Sequence, residues 1–194
     1  MEQIEWLEHR GLIKPGSRLL DVGCYDGSFL SRLPGHVHKV GVDIDASAIK
    51  RRAKMYAEQD IEFILGDFET FESSGVAPDT ITMFMVLEHL PRPVKVLKKL
   101  RDISSSTTRM VVEVPVLEKG KTNDINGFLS VGHTTHFSRK SLDNCLRIAG
   151  WEAVESVEQQ DYNGLRVLAK PSATNTAGIY QQSCPPVMPC EATS

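Results

Sequence analysis

Residues 19–27 (Leu-Leu-Asp-Val-Gly-Cys-Tyr-Asp-Gly) and residues 40–43 (Val-Gly-Val-Asp) constrain this chain more than any other part of it. They spell a short apolar strand, a turn carrying two glycines, and a second strand that ends in an acid. A turn after a first parallel strand places backbone N–H groups at a helix N-terminus, where they face a polar or anionic ligand, and glycine removes the Cβ that would block approach. Asp43 lies 22 residues after Asp21, close to the offset of roughly 20 at which a carboxylate receives ribose hydroxyls. The pattern is therefore a site for an adenosine-containing cofactor. A dinucleotide turn wants three glycines spaced G-x-G-x-x-G. This chain has only Gly23 and Gly27, with Tyr25 where a middle glycine would stand, so a pyrophosphate would be poorly served.

The rest of the sequence repeats the same rhythm. Residues 2–10 form a candidate helix with Ile4, Trp6 and Leu7, closed by Lys14-Pro15-Gly16. Arg18–Val22 reads as strand one, Phe29, Leu30 and Leu33 as the apolar face of a helix, and Lys39–Ile44 as strand two. Ala46–Ala57 reads as a helix that turns Ile49, Ala53 and Tyr56 inward and Lys50, Arg51, Arg52 and Lys54 mostly outward. Ile61–Leu65 and Asp79–Phe84 are strands three and four, and Arg109–Val114 is strand five, after a helix opened by Pro91 or Pro93. A helix begins at Ser138 and ends at Ala149-Gly150; two strands, Trp151–Glu158 and Gly164–Ala169, follow with a hairpin connection. Strands alternating with helices in this way build a doubly wound α/β sheet of seven strands, parallel except for one antiparallel strand of the C-terminal hairpin, with helices on both faces. The polar stretch between Pro115 and Thr135 is too long for an ordinary connection and is expected to cover the site.

Length and composition fit one domain. The 194 residues are 41% hydrophobic and 24% charged, enough for a core without disulfides or metals. Residues 1–14 are read as an N-terminal helix or lid, 15–170 as the catalytic domain and 171–194 as a disordered tail. A net charge of −3 supplies no global field for nucleic acid or an anionic membrane. No apolar run has the length of a membrane span, and the acidic N-terminus is unlike a signal peptide. A cytoplasmic location follows, with Cys24, Cys145, Cys184 and Cys190 as reduced thiols.

Taken together, the Asp21-Val-Gly23-Cys-Tyr-Asp-Gly27 turn, Asp43, the Leu87-Glu88-His89 ending of strand four, and His133-Thr-Thr-His136-Phe-Ser before the last helix resemble the small-molecule branch of the class I S-adenosylmethionine-dependent methyltransferases. The resemblance covers roughly residues 15 to 170. It implies S-adenosyl-L-methionine as cofactor, released as S-adenosyl-L-homocysteine. It implies that Asp21 and Gly23 approach the methionine end, that Cys24, Tyr25 and Gly27 also belong to the cofactor site, that Asp43 takes both ribose hydroxyls and that Ile44 packs on adenine. Asp67 with the Phe68 amide would read the adenine edge, and Phe84 would also belong to the cofactor site.

Methyl transfer from a sulfonium is an in-line displacement served mainly by alignment and exclusion of water. A hydroxyl or acidic carbon also needs a proton acceptor near pH 7, to which histidine is suited. His133 is the first candidate, followed by His136 and His89; each also has a purely structural reading. Glu88-His89 resembles metal-dependent relatives that carry a further glutamate three residues earlier, but Met85 stands there, so no metal is expected. The acceptor is read as a small molecule, a sugar or glycan, or a natural-product precursor, methylated on O, N or C. A non-catalytic module with the same fold, or a protein acceptor, stays open, and the sequence is silent on oligomeric state.

Overall fold

The computed structural model describes residues 3–68, 76–117, 132–159 and 163–173. Among these run α1 (Gln3–His9), β1 (Arg18–Val22), α2 (Ser28–Arg32), β2 (His38–Asp43), α3 (Ala46–Met55), β3 (Ile61–Leu65), β4 (Thr80–Phe84), α4 (Pro93–Asp102), β5 (Arg109–Pro115), α5 (Arg139–Ile148), β6 (Trp151–Glu158) and β7 (Gly164–Pro171). A single 3-10 turn, Leu87–His89, follows β4. The seven strands lie in the order β3-β2-β1-β4-β5-β7-β6. Neighbours pair in parallel as far as β5, and β7 runs antiparallel to both β5 and β6. The doubly wound sheet with one reversed strand is the architecture expected from the sequence.

Alternation along the strands sorts the core into two layers. Leu20, Val22, Ile81, Met83 and Val112 face α4 and α5 with Leu97, Leu142 and Leu146. Leu19, Val111 and Leu168 face the opposite way, against Trp6, Leu7, Phe29, Leu30 and Ile49 of α1, α2 and α3. Packing on the second face is close enough to exclude a Cβ from Gly41. An added carbon there would stand 2.7 Å from Leu30 Cδ1 and 2.8 Å from Cys24 Sγ.

Helix α3 departs from the expectation in one respect. Its buried residues are Ala48, Ile49 and Arg52, while Ala53 is exposed. The helical face that carries Ala48 and Ile49 continues through the residue one turn later, which is Arg52. The run Lys50, Arg51 and Lys54 is solvated as expected; Arg52 is not. Strand β7 also reaches Pro171, and the Ser172 amide donates to the Gly150 carbonyl. The readings of residues 118–131 as a cover and of 174–194 as a tail lie outside the described residues.

Candidate cofactor and acceptor site

Strand order reverses between β1 and β4, and in open α/β sheets the ligand crevice lies beyond the carboxyl ends of the strands at that point. A cleft of about 690 Å³ opens there. Gly23, Tyr25, Asp43, Ile44, Asp67, Phe68, Phe84 and His89 line it, together with Met85, Val86, Leu90, Pro91 and Arg92. Eight of the residues singled out from the sequence thus meet in one cavity. A second cavity, about 580 Å³, lies at the opposite end of the sheet around Gly16, Asp79 and Arg109, and contains none of them.

The turn 23–27 is shaped by packing as well as by ligand access. Gly23 has φ 75°, and a Cβ on it would stand 2.4 Å from Val86 Cγ2, so the loop after β4 presses directly on the turn. Tyr25 sits at φ 43°, a left-handed conformation uncommon for a non-glycine residue. Its ring is 76% exposed at the mouth of the cleft. Its amide donates to Asp43 Oδ2 at 2.8 Å, and the Asp45 amide donates to Oδ1 at 3.0 Å. Two backbone amides therefore anchor the carboxylate that ends β2, one on each oxygen. Ile44, 65% exposed, presents its side chain beside it.

Asp21 and Cys24 lie beneath the cleft rather than on its wall. Asp21 is buried, accepts from Thr82 Oγ1 at 2.7 Å, and has its pKa pushed up to about 7, chiefly by burial and further by the charge of Asp43, against the Thr82 hydrogen bond and Arg52. The Cys24 thiol is buried against Gly41, and burial followed by Asp21 pushes its pKa up to about 12. It is a packed thiol, not a nucleophile. Gly27 precedes α2 and also stands outside the cleft lining.

The three histidines converge on one side. Thr135 N–H donates to the Glu88 carbonyl at 3.0 Å, and Thr135 Oγ1 to the Leu90 carbonyl at 3.2 Å. These bonds stitch the segment 132–136 to the turn after β4. His89 Nδ1 contacts the Gly132 carbonyl at 2.8 Å; a carbonyl only accepts, so Nδ1 carries a proton, and Nε2 lies 4.0 Å from Glu88 Oε1. His133 lies 4.8 Å from His89 and 6.3 Å from His136, centroid to centroid. His89 lines the cleft, His133 stands behind it and His136 farther out.

Glu88, which the sequence treats only as part of a motif, is buried with neither carboxylate oxygen hydrogen-bonded. Burial holds its pKa above the usual range, while His89 and His133 pull it down. One ligand atom each from Glu88, His89 and His133 lies within 4.8 Å of the others, a carboxylate and two imidazoles of a kind that suits a divalent transition metal. The sequence expects no metal because Met85 stands where a further glutamate would complete a site with Glu88 and His89; in the structure those two converge instead with His133. Thr82 and Arg52 were also missed, the first because a threonine inside a strand carries no local signal of its partner. For the second, the spacing from Ile49 fits Arg52 and Ala53 alike, and nothing local favours the arginine.

The methyltransferase-domain family model matches residues 4–156. The chain belongs to this family. Ubiquinone biosynthesis O-methyltransferase of Coxiella burnetii is 34% identical to this chain over 100 residues, which are 50% of the chain and 42% of the relative. The match thus takes in less than half of that relative's length. Among solved structures, the chain resembles magnesium protoporphyrin IX methyltransferase of Synechocystis with bound SAM (17% identity, TM-score 0.66, covering 87% of this chain and 76% of that one). It also resembles mitomycin 7-O-methyltransferase (14%, TM-score 0.69, 81% and 49%) and the [4+2]-cyclase SpnF (14%, TM-score 0.74, 87% and 79%). At such identities the likeness establishes the fold alone, and the presence of a cyclase among the neighbours shows that this fold carries more than one chemistry.

Proposed function

We propose that this domain transfers a methyl group from S-adenosyl-L-methionine to a hydroxyl of a small molecule or glycan. The observation that carries the reading is the cleft itself: a doubly anchored carboxylate, Asp43, on one wall and an imidazole, His89, on another, at the switch point of a methyltransferase-family fold. The O-methyltransferase name of the curated relative supports oxygen as the acceptor atom.

When bound, the cofactor supplies an electrophilic methyl group on a sulfonium. Asp43 accepts the ribose hydroxyls, Ile44 packs on the adenine, Asp67 and the Phe68 amide read its edge, and Phe84 floors the pocket. Gly23 attends the methionine end on the wall of the cleft, and Asp21 supports the turn from beneath. Met85, Val86 and Leu90 exclude water from the reacting centre. The sequence ranks His133 first as base, whereas the cleft favours His89, whose Nε2 takes the acceptor's hydroxyl proton as the oxygen gains the methyl group, with His133 supporting it from behind.

Calorimetric titration of S-adenosylhomocysteine into wild type and Asp43→Ala tests the cofactor. Micromolar binding in the wild type, weakened at least ~10-fold by loss of a charged hydrogen-bond acceptor, is the expected result. No binding to the wild type would overturn the reading and leave a non-catalytic module. Transfer of a labelled methyl group to phenolic and sugar hydroxyls then identifies the acceptor class. His89→Gln should lower kcat by ~10²-fold or more if it is the base; an unchanged kcat would return the role to His133.

A further inference from the structure

Arg52 is the one arginine of α3 that points inward. Its side chain is 5% exposed, among Ala48 and Ile49, at a position where an apolar residue would fit without the cost of taking a guanidinium out of water. Its Nε finds no hydrogen-bond acceptor, so the burial does not serve the arginine's own hydrogen bonds. What it does face is the underside of the cofactor turn. Nη1 lies 3.5 Å from Asp43 Oδ2 and 3.9 Å from Cys24 Sγ, and Cζ lies 5.9 Å from the Tyr25 ring centroid. Its charge also reaches Asp21 and Asp26.

We propose that Arg52 is a positioning residue of the cofactor site, a buried cation that holds the Asp43 carboxylate in the orientation that receives the ribose hydroxyls. The inference rests on the cofactor reading above. A carboxylate has about four lone-pair positions. The amides of Tyr25 and Asp45 take one on each oxygen. Arg52, at 3.5 Å, is beyond strong hydrogen-bond range and contributes charge without consuming another. One position on each oxygen is left, matching two hydroxyls. Among Asp21, Asp26 and Asp43, which crowd one turn, Arg52 is the buried cation that offsets their mutual repulsion.

The test compares two probes, S-adenosylhomocysteine and its 2′,3′-dideoxyribose analogue, titrated calorimetrically into wild type, Arg52→Met and Arg52→Lys, with thermal melts confirming folding. Arg52→Met is expected to weaken S-adenosylhomocysteine at least ~10-fold and the dideoxy analogue less than ~3-fold, the size of one charged hydrogen bond; Arg52→Lys restores most of the difference. Equal losses on both probes, or no loss, would overturn the proposal and leave Arg52 a structural residue. Should Arg52→Met not fold, Arg52→Gln replaces it under the same criteria, and failure of both to fold assigns Arg52 to stability alone, which also overturns it. A wild type that binds both probes equally removes Asp43 as the ribose acceptor, and Arg52 with it, but leaves the methyltransferase reading standing. A wild type that binds neither defeats both.

Discussion

At the scale of single residues, Asp21 joins site and stability. An unfolded aspartate titrates near ~3.9, whereas the buried Asp21 carboxyl titrates at about 7. Between those values the folded chain holds a proton that the unfolded chain releases, so stability falls as pH rises from about 4 to about 7 and levels above it. Asp21→Asn keeps an oxygen for the Thr82 hydroxyl and cannot ionise. It is expected to melt higher than wild type at pH 8, by an upper bound of about 4 kcal/mol, and to match it near pH 4, while losing affinity for S-adenosylhomocysteine. Scanning calorimetry across that range checks it; a flat wild-type profile would count against the buried, protonated carboxyl. Gly23 is a steric rather than an electrostatic case. Alanine there meets Val86 and a left-handed backbone together, and Gly23→Ala should cost about 2–4 kcal/mol in urea denaturation.

At the scale of elements, the sequence made strands easier to read than faces. β1 and β3 fall where the apolar runs stop, because Pro15-Gly16 and the glycine turn at 23 end β1 and Gly66 ends β3. Helix α3 was legible in extent but not in phase. Ile49 and Ala53 are a valid i, i+4 pair, yet the buried stripe runs through Ala48, Ile49 and Arg52, since the helix is rotated to bring a cation under Asp43. No local rule favours burying an arginine over an alanine; only the carboxylates of the neighbouring turn do. Helix α5 shows the opposite situation, with its start written locally. The Ser138 amide donates to Ser141 Oγ and the Ser141 amide to Ser138 Oγ, a capping box directly after buried Phe137. Ser138→Ala should lower stability by about 1 kcal/mol in urea denaturation without changing S-adenosylhomocysteine affinity. A loss of affinity would mean that the cap also holds the histidine segment in register.

At the scale of the whole molecule, the sheet's reversed strand ties the N-terminal helix to the floor of the cleft. Arg166 of β7 pairs with Glu113 of β5, both buried, and its guanidinium carbon lies 5.3 Å from the Trp6 ring and 5.8 Å from Phe84. Arg10 stacks on Trp6 at 3.8 Å and pairs with Glu155 of β6, so the indole lies near two guanidinium groups. Such contacts join the two ends of the chain, and for that reason the local pattern around Trp6 reads only as an apolar helix face. α1 does not line the cleft; it packs on the sheet beside residues that do. A buried ion pair is costly to break and cheap to replace. Arg166→Met is expected to destabilise by about 3–5 kcal/mol, because Glu113 loses its guanidinium while remaining out of water. Adding Glu113→Leu removes the stranded charge, so the double variant should be more stable than Arg166→Met alone. If the pair serves stability only, S-adenosylhomocysteine binds the double variant as it binds wild type. If Arg166 also sets the edge of Phe84 that faces the cleft, affinity stays low after stability has recovered, and the separation of the two readouts by urea denaturation and calorimetry decides between them.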